Sequence, residues 1–290
     1  MAPLPVGVGD LDAQRAFLQE HASFLKHYPV LKKVVERALC RPLASPSQAD
    51  IDRLQERNHD DAEVVAFENA ATTDRVVFFL GRIAADDFGE IIILSGNGRG
   101  IGAYKILRGM YERVVHAVYL NKNEEATRTF VRRSDVDKLK LATRLQGFGI
   151  DVLSDFTEED KAELAIRAAE AKNDKPMLDL SAMAERAGQG LDKMYGPCYL
   201  EPTIHTHANS FGIERRLVKT PEGYSYNEAE YRHQSRRALL FGHNLLIHNL
   251  DLQNKRFTLG FDRELQDCVK AFTEIWGQRS STGASDSSVS

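Results

Sequence analysis

Between Ala103 and Leu120 the chain reads AYKILRGMYERVVHAVYL, a helical run whose apolar residues point in almost every direction while its polar residues gather into one stripe. Leu107, Met110, Val114, Ala117 and Val118 occupy several faces, so a helix built from them has to be covered nearly all round by other elements. Arg108, Glu112, His116 and Tyr119 follow at intervals of four, four and three and share the remaining face. Charged groups on so apolar a rod must be paired. The stripe therefore lies against another element, either as an ion-pair network or as the floor of a pocket in which Glu112 tunes His116 or receives a cationic group.

Elements able to cover such a helix are plentiful. Helical spacing runs from about Asp10 to Leu39 through Leu11, Leu18, Leu25, Leu31 and Val35, with Pro29 expected to break or kink it. Ser45, Pro46 and Gln48 signal a second start, with a capping serine, a proline at the first helical position and a glutamine at the capping-box position. The longest helical stretch follows, from Ile51 to Ile83. Further helices are expected over Glu124 to Leu145, from Thr157 with its acidic first turn, over Leu178 to Met194, Asn227 to Leu252 and Asp262 to Trp276. The run Ile91-Ile92-Ile93-Leu94 is too short for periodicity to decide and is either a strand or a buried helical piece. The expected fold is therefore all-α, a single-domain multi-helix bundle with at most one short strand near 90–94. Residues 1–45 read as an N-terminal helical extension, 46–277 as the main domain and 278–290, ending GASDSSVS, as a disordered tail.

Several classes of protein are disfavoured. At 290 residues the chain buries a core without staples, and its net charge of −4 gives no overall pull toward polyanions. Cys40, Cys198 and Cys268 are scattered and odd in number, which suits a reducing compartment better than a disulfide framework or zinc ribbon, and Cys198 reads as a small core residue. No stretch approaches the roughly 20 apolar residues of a membrane span, and the N-terminus lacks a signal-peptide pattern. The expectation is a cytoplasmic protein without a membrane partner and without an implied cofactor.

Gly98, Gly100 and Ala103 satisfy G-x-G-x-x-A between an apolar run and a helix, as in a dinucleotide-binding turn. That site also needs a parallel sheet and an acidic residue ending a second strand, and the next stretch is a long helix instead. The favoured reading is a close-packed turn between helices. A second polar concentration, YLEPTIHTHANS, carries Tyr199, Thr203, His205 and His207; its H-x-H spacing suits a hydrogen-bond network better than a metal site. A third lies in the helix after Asn227. Arg236 and His243 are seven apart and share a face, and Arg237 stands six before His243. Such a pair can cleave RNA without metal, the histidine taking the 2′-hydroxyl proton and the arginine stabilising charge on the phosphate. Solvated charge explains the same residues. Glu230 and His233 form an E-x-x-H, but a helical di-metal site needs a second such motif. Arg128, Arg132, Arg133, Lys138, Lys140 and Arg144 make a basic concentration that reads as a solvated face or a phosphate contact.

The segment GNGRGIGAYKILRGMYERVVHAVYL, followed by YLEPTIHTHANSFG, resembles a bacterial family of helical domains of unknown function. The shared pattern is a glycine turn, a helix bearing Arg-x-x-x-Glu, here Arg108 and Glu112, and a later Tyr, Thr and His cluster, here Tyr199, Thr203 and His205 or His207. The chain resembles more distantly the HEPN superfamily, several of whose members are dimeric RNases in toxin-antitoxin and anti-phage systems. Its R-x4-6-H motif maps here to Arg236 or Arg237 with His243, with Ala238 where those enzymes often carry a polar residue. Two functions stay open. One is a noncatalytic binding or regulatory domain whose pocket, around Arg108, Glu112, His116, Tyr199, Thr203, His205 and His207, takes a small ligand or protein. The other is a metal-independent ribonuclease acting on RNA, possible as a homodimer, with a metal-dependent hydrolase behind both.

Overall fold

Three long helices cross one another and enclose the predicted central rod. The computed structural model describes residues 11–43, 61–174, 176–206 and 210–277. In chain order the elements are α1 (Leu11–Glu20), α2 (Ala22–Leu39), α3 (Asp61–Gly96), α4 (Gly100–Lys122), α5 (Glu124–Gln146), α6 (Glu158–Ala171), α7 (Leu180–Ala187) and α8 (Leu191–Tyr195). A π-helical turn (Gly196–Leu200), α9 (Glu201–Thr206) and α10 (Ser210–Glu214) follow. A small hairpin, β1 (Leu217–Thr220) with β2 (Gly223–Tyr226), and the helices α11 (Glu228–Phe257) and α12 (Asp262–Gly277) complete the fold. The architecture is all-α, and α4 packs against both α3 and α11, which also pack against each other.

Glycines make that packing close. A Cβ on Gly100 would stand 1.9 Å from the Tyr231 carbonyl oxygen and 2.6 Å from the Ser235 nitrogen, so α11 passes the start of α4 at backbone contact. On the other side of α11, Asn249 Nδ2 donates to the Gly81 carbonyl at 2.8 Å and Gln253 Nε2 to the Val77 carbonyl at 3.0 Å. These amides are fully buried, and a Cβ on Gly81 would come within 2.6 Å of Asn249 Oδ1. Arg256 fastens the far end of α11, with Nε 2.5 Å from Asp74 of α3 and Nη1 2.6 Å from Glu124 of α5. Every layer contributes to one core. Phe24 and Leu31 of α2 are as completely buried as Leu107 and Met110 of α4, so the segment expected as an extension packs into the main core.

Several local expectations change. Ile91 to Leu94 form no strand; they continue α3, with Ile91 buried and Ile93 65% exposed, because the run spirals round the helix instead of alternating across a sheet. A helix thus precedes the glycine turn, in which Gly98 takes φ +69°, and α4 starts at Gly100, so the strand that a dinucleotide site requires is lacking there. The described strands lie elsewhere, paired antiparallel from Leu217 opposite Tyr226 to Thr220 opposite Gly223. Their signal was a β-branched run closed by Pro221-Glu222-Gly223. The first helix breaks at His21, and Pro29 lies within α2. Gly188, Gln189 and Gly190 all have positive φ and divide the expected 178–194 helix. Thr157 caps α6 in a full capping box with Asp160. The start signalled at Ser45 to Gln48 and the tail from residue 278 lie outside the described residues.

Gly100→Ala is expected to destabilise the fold by about 1–3 kcal/mol through overpacking against the α11 backbone. Gly89→Ala, where an added Cβ meets nothing within 4 Å in mid-helix, should stabilise by about 0.5–1 kcal/mol. Urea unfolding of both variants checks the contrast, and equal effects would refute the role given to Gly100.

Candidate functional site

The stripe on α4 faces the segment from α8 to α9. Pro197 has no N–H to give to a preceding carbonyl, and the turn it sits in widens until the Glu201 N–H donates to the Gly196 carbonyl, five residues back. Three α4 side chains one turn apart grip this irregular backbone. Tyr104 donates its hydroxyl to the Pro197 carbonyl at 2.7 Å, and Tyr111 donates to the Leu191 carbonyl at 2.8 Å. Between them Arg108 Nη2 lies 3.0 Å from the Tyr199 hydroxyl oxygen and 3.0 Å from Glu112 Oε1. The Arg108 guanidinium carbon stands 4.6 Å from the Tyr199 ring centre, and the Tyr199 ring stacks on Tyr195 at 5.2 Å. Burial pushes the Tyr104 and Tyr111 phenols upward, so both remain protonated donors.

This cluster is half open. The Arg108 and Glu112 side chains are 27% and 36% exposed, on a helix whose neighbouring positions are sealed. Arg108 Nε is enclosed without an acceptor. Thr203 belongs to the same surface, its hydroxyl donating to the Tyr199 carbonyl at 2.6 Å. His116 is oriented by backbone rather than by charge: its Nδ1 donates to the Glu112 carbonyl at 2.7 Å while the Glu112 carboxylate turns to Arg108. His205 is buried with its ring 6.2 Å from Tyr104. His207 and the Glu230 side chain lie outside the described residues. Among the described residues no group of three or more His, Cys, Asp or Glu is placed to hold a metal ion.

A second ion pair backs the π-helical turn. Arg237 of α11 forms a bidentate pair with Glu201, Nη1 standing 2.5 Å from Oε1 and Nη2 bonded to Oε2, and its guanidinium lies over Tyr104 at 5.5 Å. Beneath it Cys198 is fully buried and its thiol is pushed up by burial, which keeps it protonated and unreactive. Glu201, Tyr104 and Tyr195 were not singled out in the sequence. Tyr104 was legible one turn before Arg108 on the same stripe, whereas nothing local in the sequence links Glu201 to Arg237.

Arg236, Arg237 and His243 are not brought together. Arg236 is exposed, and Arg237 is engaged by Glu201. His243 is fully buried among Phe24, Phe88 and Phe272, and its Nδ1 accepts from Trp276 Nε1 at 3.2 Å. In this arrangement its imidazole has no path to a phosphodiester. The basic concentration on α5 is partly neutralised, Arg132 by Glu170 and Asp174, Lys138 by Asp135 and Lys140 by Asp137.

A family model described as a family of unknown function (DUF5677) matches residues 74–224, just over half of the chain. The chain belongs to this family. The DUF5677 region contains the α4 stripe, the π-helical turn and Glu201, and it stops before Arg236, Arg237 and His243. No curated protein and no solved structure matches the chain.

The histidine core predicts a pH response. Burial and the neighbouring His27 lower the His243 pKa from 6.5 to about 3. Below pH 6.5 the unfolded chain therefore takes up a proton that folded His243 refuses, and stability falls by about 1.4 kcal/mol per unit as pH drops toward 3. Asp87, raised by burial to about 6 despite Arg113 at 2.6 Å, acts in the opposite sense, its contribution being lost as pH rises through 6. The difference between wild type and His243→Phe cancels Asp87. Melting curves from pH 7 to 4 should show that difference narrowing or reversing toward acid; parallel curves would contradict the assignment.

Proposed function

We propose that this protein is a noncatalytic binding domain of the cytoplasm, whose site is the surface where Arg108, Glu112, Tyr199 and Thr203 meet. The observation that carries the reading is the half-exposed Arg108, held in one orientation by Glu112 and the Tyr199 hydroxyl on the flank of an otherwise buried helix. A partly exposed ion pair contributes little stability, about 0–1 kcal/mol. Its ordered placement on a tyrosine stack is better explained by recognition. The remaining donors of Arg108 suit an acceptor such as a carboxylate or phosphoryl oxygen on a small ligand or protein segment, and the Tyr195 and Tyr199 rings supply a flat apolar wall.

The chemistry nearby favours binding over turnover. Arg108 and Glu112 neutralise each other, the Thr203 hydroxyl is engaged by backbone, and the Cys198 thiol is buried and protonated. All three cysteines are free, in keeping with a reducing compartment. RNA cleavage through Arg236 or Arg237 with His243 draws no support from their placement.

A thermal-shift panel of nucleotides, sugar phosphates and dicarboxylates tests the reading. A bound probe at a hundredfold excess over its Kd should add about 2.7 kcal/mol to wild type. Arg108→Ala should abolish that gain, and Tyr199→Phe should weaken it. A probe that stabilises the Arg108 variant equally would move the binding site elsewhere, and chemical conversion of any probe would replace binding with catalysis.

A further inference from the structure

The helical hairpin α5 and α6 is the least enclosed part of the molecule. Only the beginning of α5 is tied to the bundle, through Thr127, which is bonded to Thr73 of α3 at 2.9 Å, and Glu124, bonded to Arg256. α6 packs principally on α5. Between the two helices the fully or nearly buried apolar residues are few, Val136, Leu164 and Ala168. At the far end, by contrast, Leu141, Phe148, Ile150, Val152 and Phe156 are all exposed, Phe148 by 81%. Isolated exposed apolar residues are ordinary, but five on one hairpin tip make a patch of the kind that marks an interaction site.

The charges around this patch have opposite signs on its two sides. The distal half of α5 carries Lys138, Lys140 and Arg144 with no acidic residue between them. The tip and the start of α6 carry Asp151, Asp155, Glu158, Glu159 and Asp160 against Lys161 alone. Proximal cross-helix pairs are made, as between Arg167 and Asp135 at 3.1 Å, whereas Arg144, Asp155 and Glu159 form no ion pair among the described residues. A surface basic on one edge, acidic on the other and apolar in the middle is self-complementary under a two-fold axis. Antiparallel docking sets each basic edge against the partner's acidic edge and closes both tips over one apolar centre, turning two helical hairpins into a four-helix arrangement.

We propose that the α5 and α6 hairpin tip is a homodimerisation surface, occupied by the same tip of a second copy of this chain. The patch is small, so association is weak and concentration-dependent. Sedimentation of the full chain between about 1 and 300 μM, a range that brackets micromolar affinity, should move from the 32.5 kDa monomer toward twice that mass. Phe148→Asp should remain monomeric throughout with an unchanged melting curve, since the side chain it replaces is already in solvent. Two charge variants make the test specific: Lys140→Glu with Arg144→Glu, and Asp155→Lys with Glu159→Lys, should each lose self-association and recover it when mixed. A wild-type chain that stays monomeric, a dimer that survives Phe148→Asp, or a mixture that fails to reassemble would overturn the proposal.

Discussion

The close crossing of α11 over α3 and α4 is the constraint on which the rest of the structure depends. Helix backbones ordinarily keep their distance because side chains intervene. Here Gly100 removes the intervening group and lets α11 touch the α4 backbone, while Asn249 and Gln253 reach across to backbone carbonyls of α3 that already serve the helix. A buried amide without a partner is costly, so these bonds admit one register of α11 against α3. Arg256 at the end of the same helix couples it to α3 and α5. With that frame set, α4 is enclosed on two sides, and one flank remains free to hold something less regular.

That flank holds the π-helical turn. Its backbone is irregular, and Tyr104, Arg108 and Tyr111 supply the bonds that keep it in place. The stripe therefore does two things. Its tyrosines fasten the segment from Leu191 to Glu201, and its arginine and glutamate, at the open edge, present charge to solvent. Arg237 and Glu201 brace the turn from α11, so the site's geometry inherits the rigidity of the helix crossing. This division separates a structural ion pair from one that faces outward, though both involve an arginine lying against a tyrosine.

One helix can also carry polar residues to quite different ends. On α11, Arg237 serves the turn, Arg236 is solvated, and His243 lies sealed against Trp276, Phe24 and Phe88. Arg236 and His243 share a helix face by spacing, but α2 and α12 cover only its later part. Spacing assigns a direction round a helix, and burial is decided by what packs there at each level.

Helical periodicity, the start of α6 at Thr157 and the need to enclose α4 were all legible in the sequence, because each rests on residues within a few turns of one another. So were Arg108 and Glu112, which meet at a spacing of four on a single helix. The fate of Ile91 to Leu94 was not, since four apolar residues fit a strand or a helix and only continuity with α3 decides. Nor were the pairing of Arg237 with Glu201, the contact of Arg108 with Tyr199 or the burial of His243. These join positions 33 to 91 residues apart in the chain. Local chemistry determined which segments would be helices and which faces would be polar. The helix crossing, set by glycines and buried amides distant in sequence, decided which polar groups were sealed inside and which were left to meet a partner.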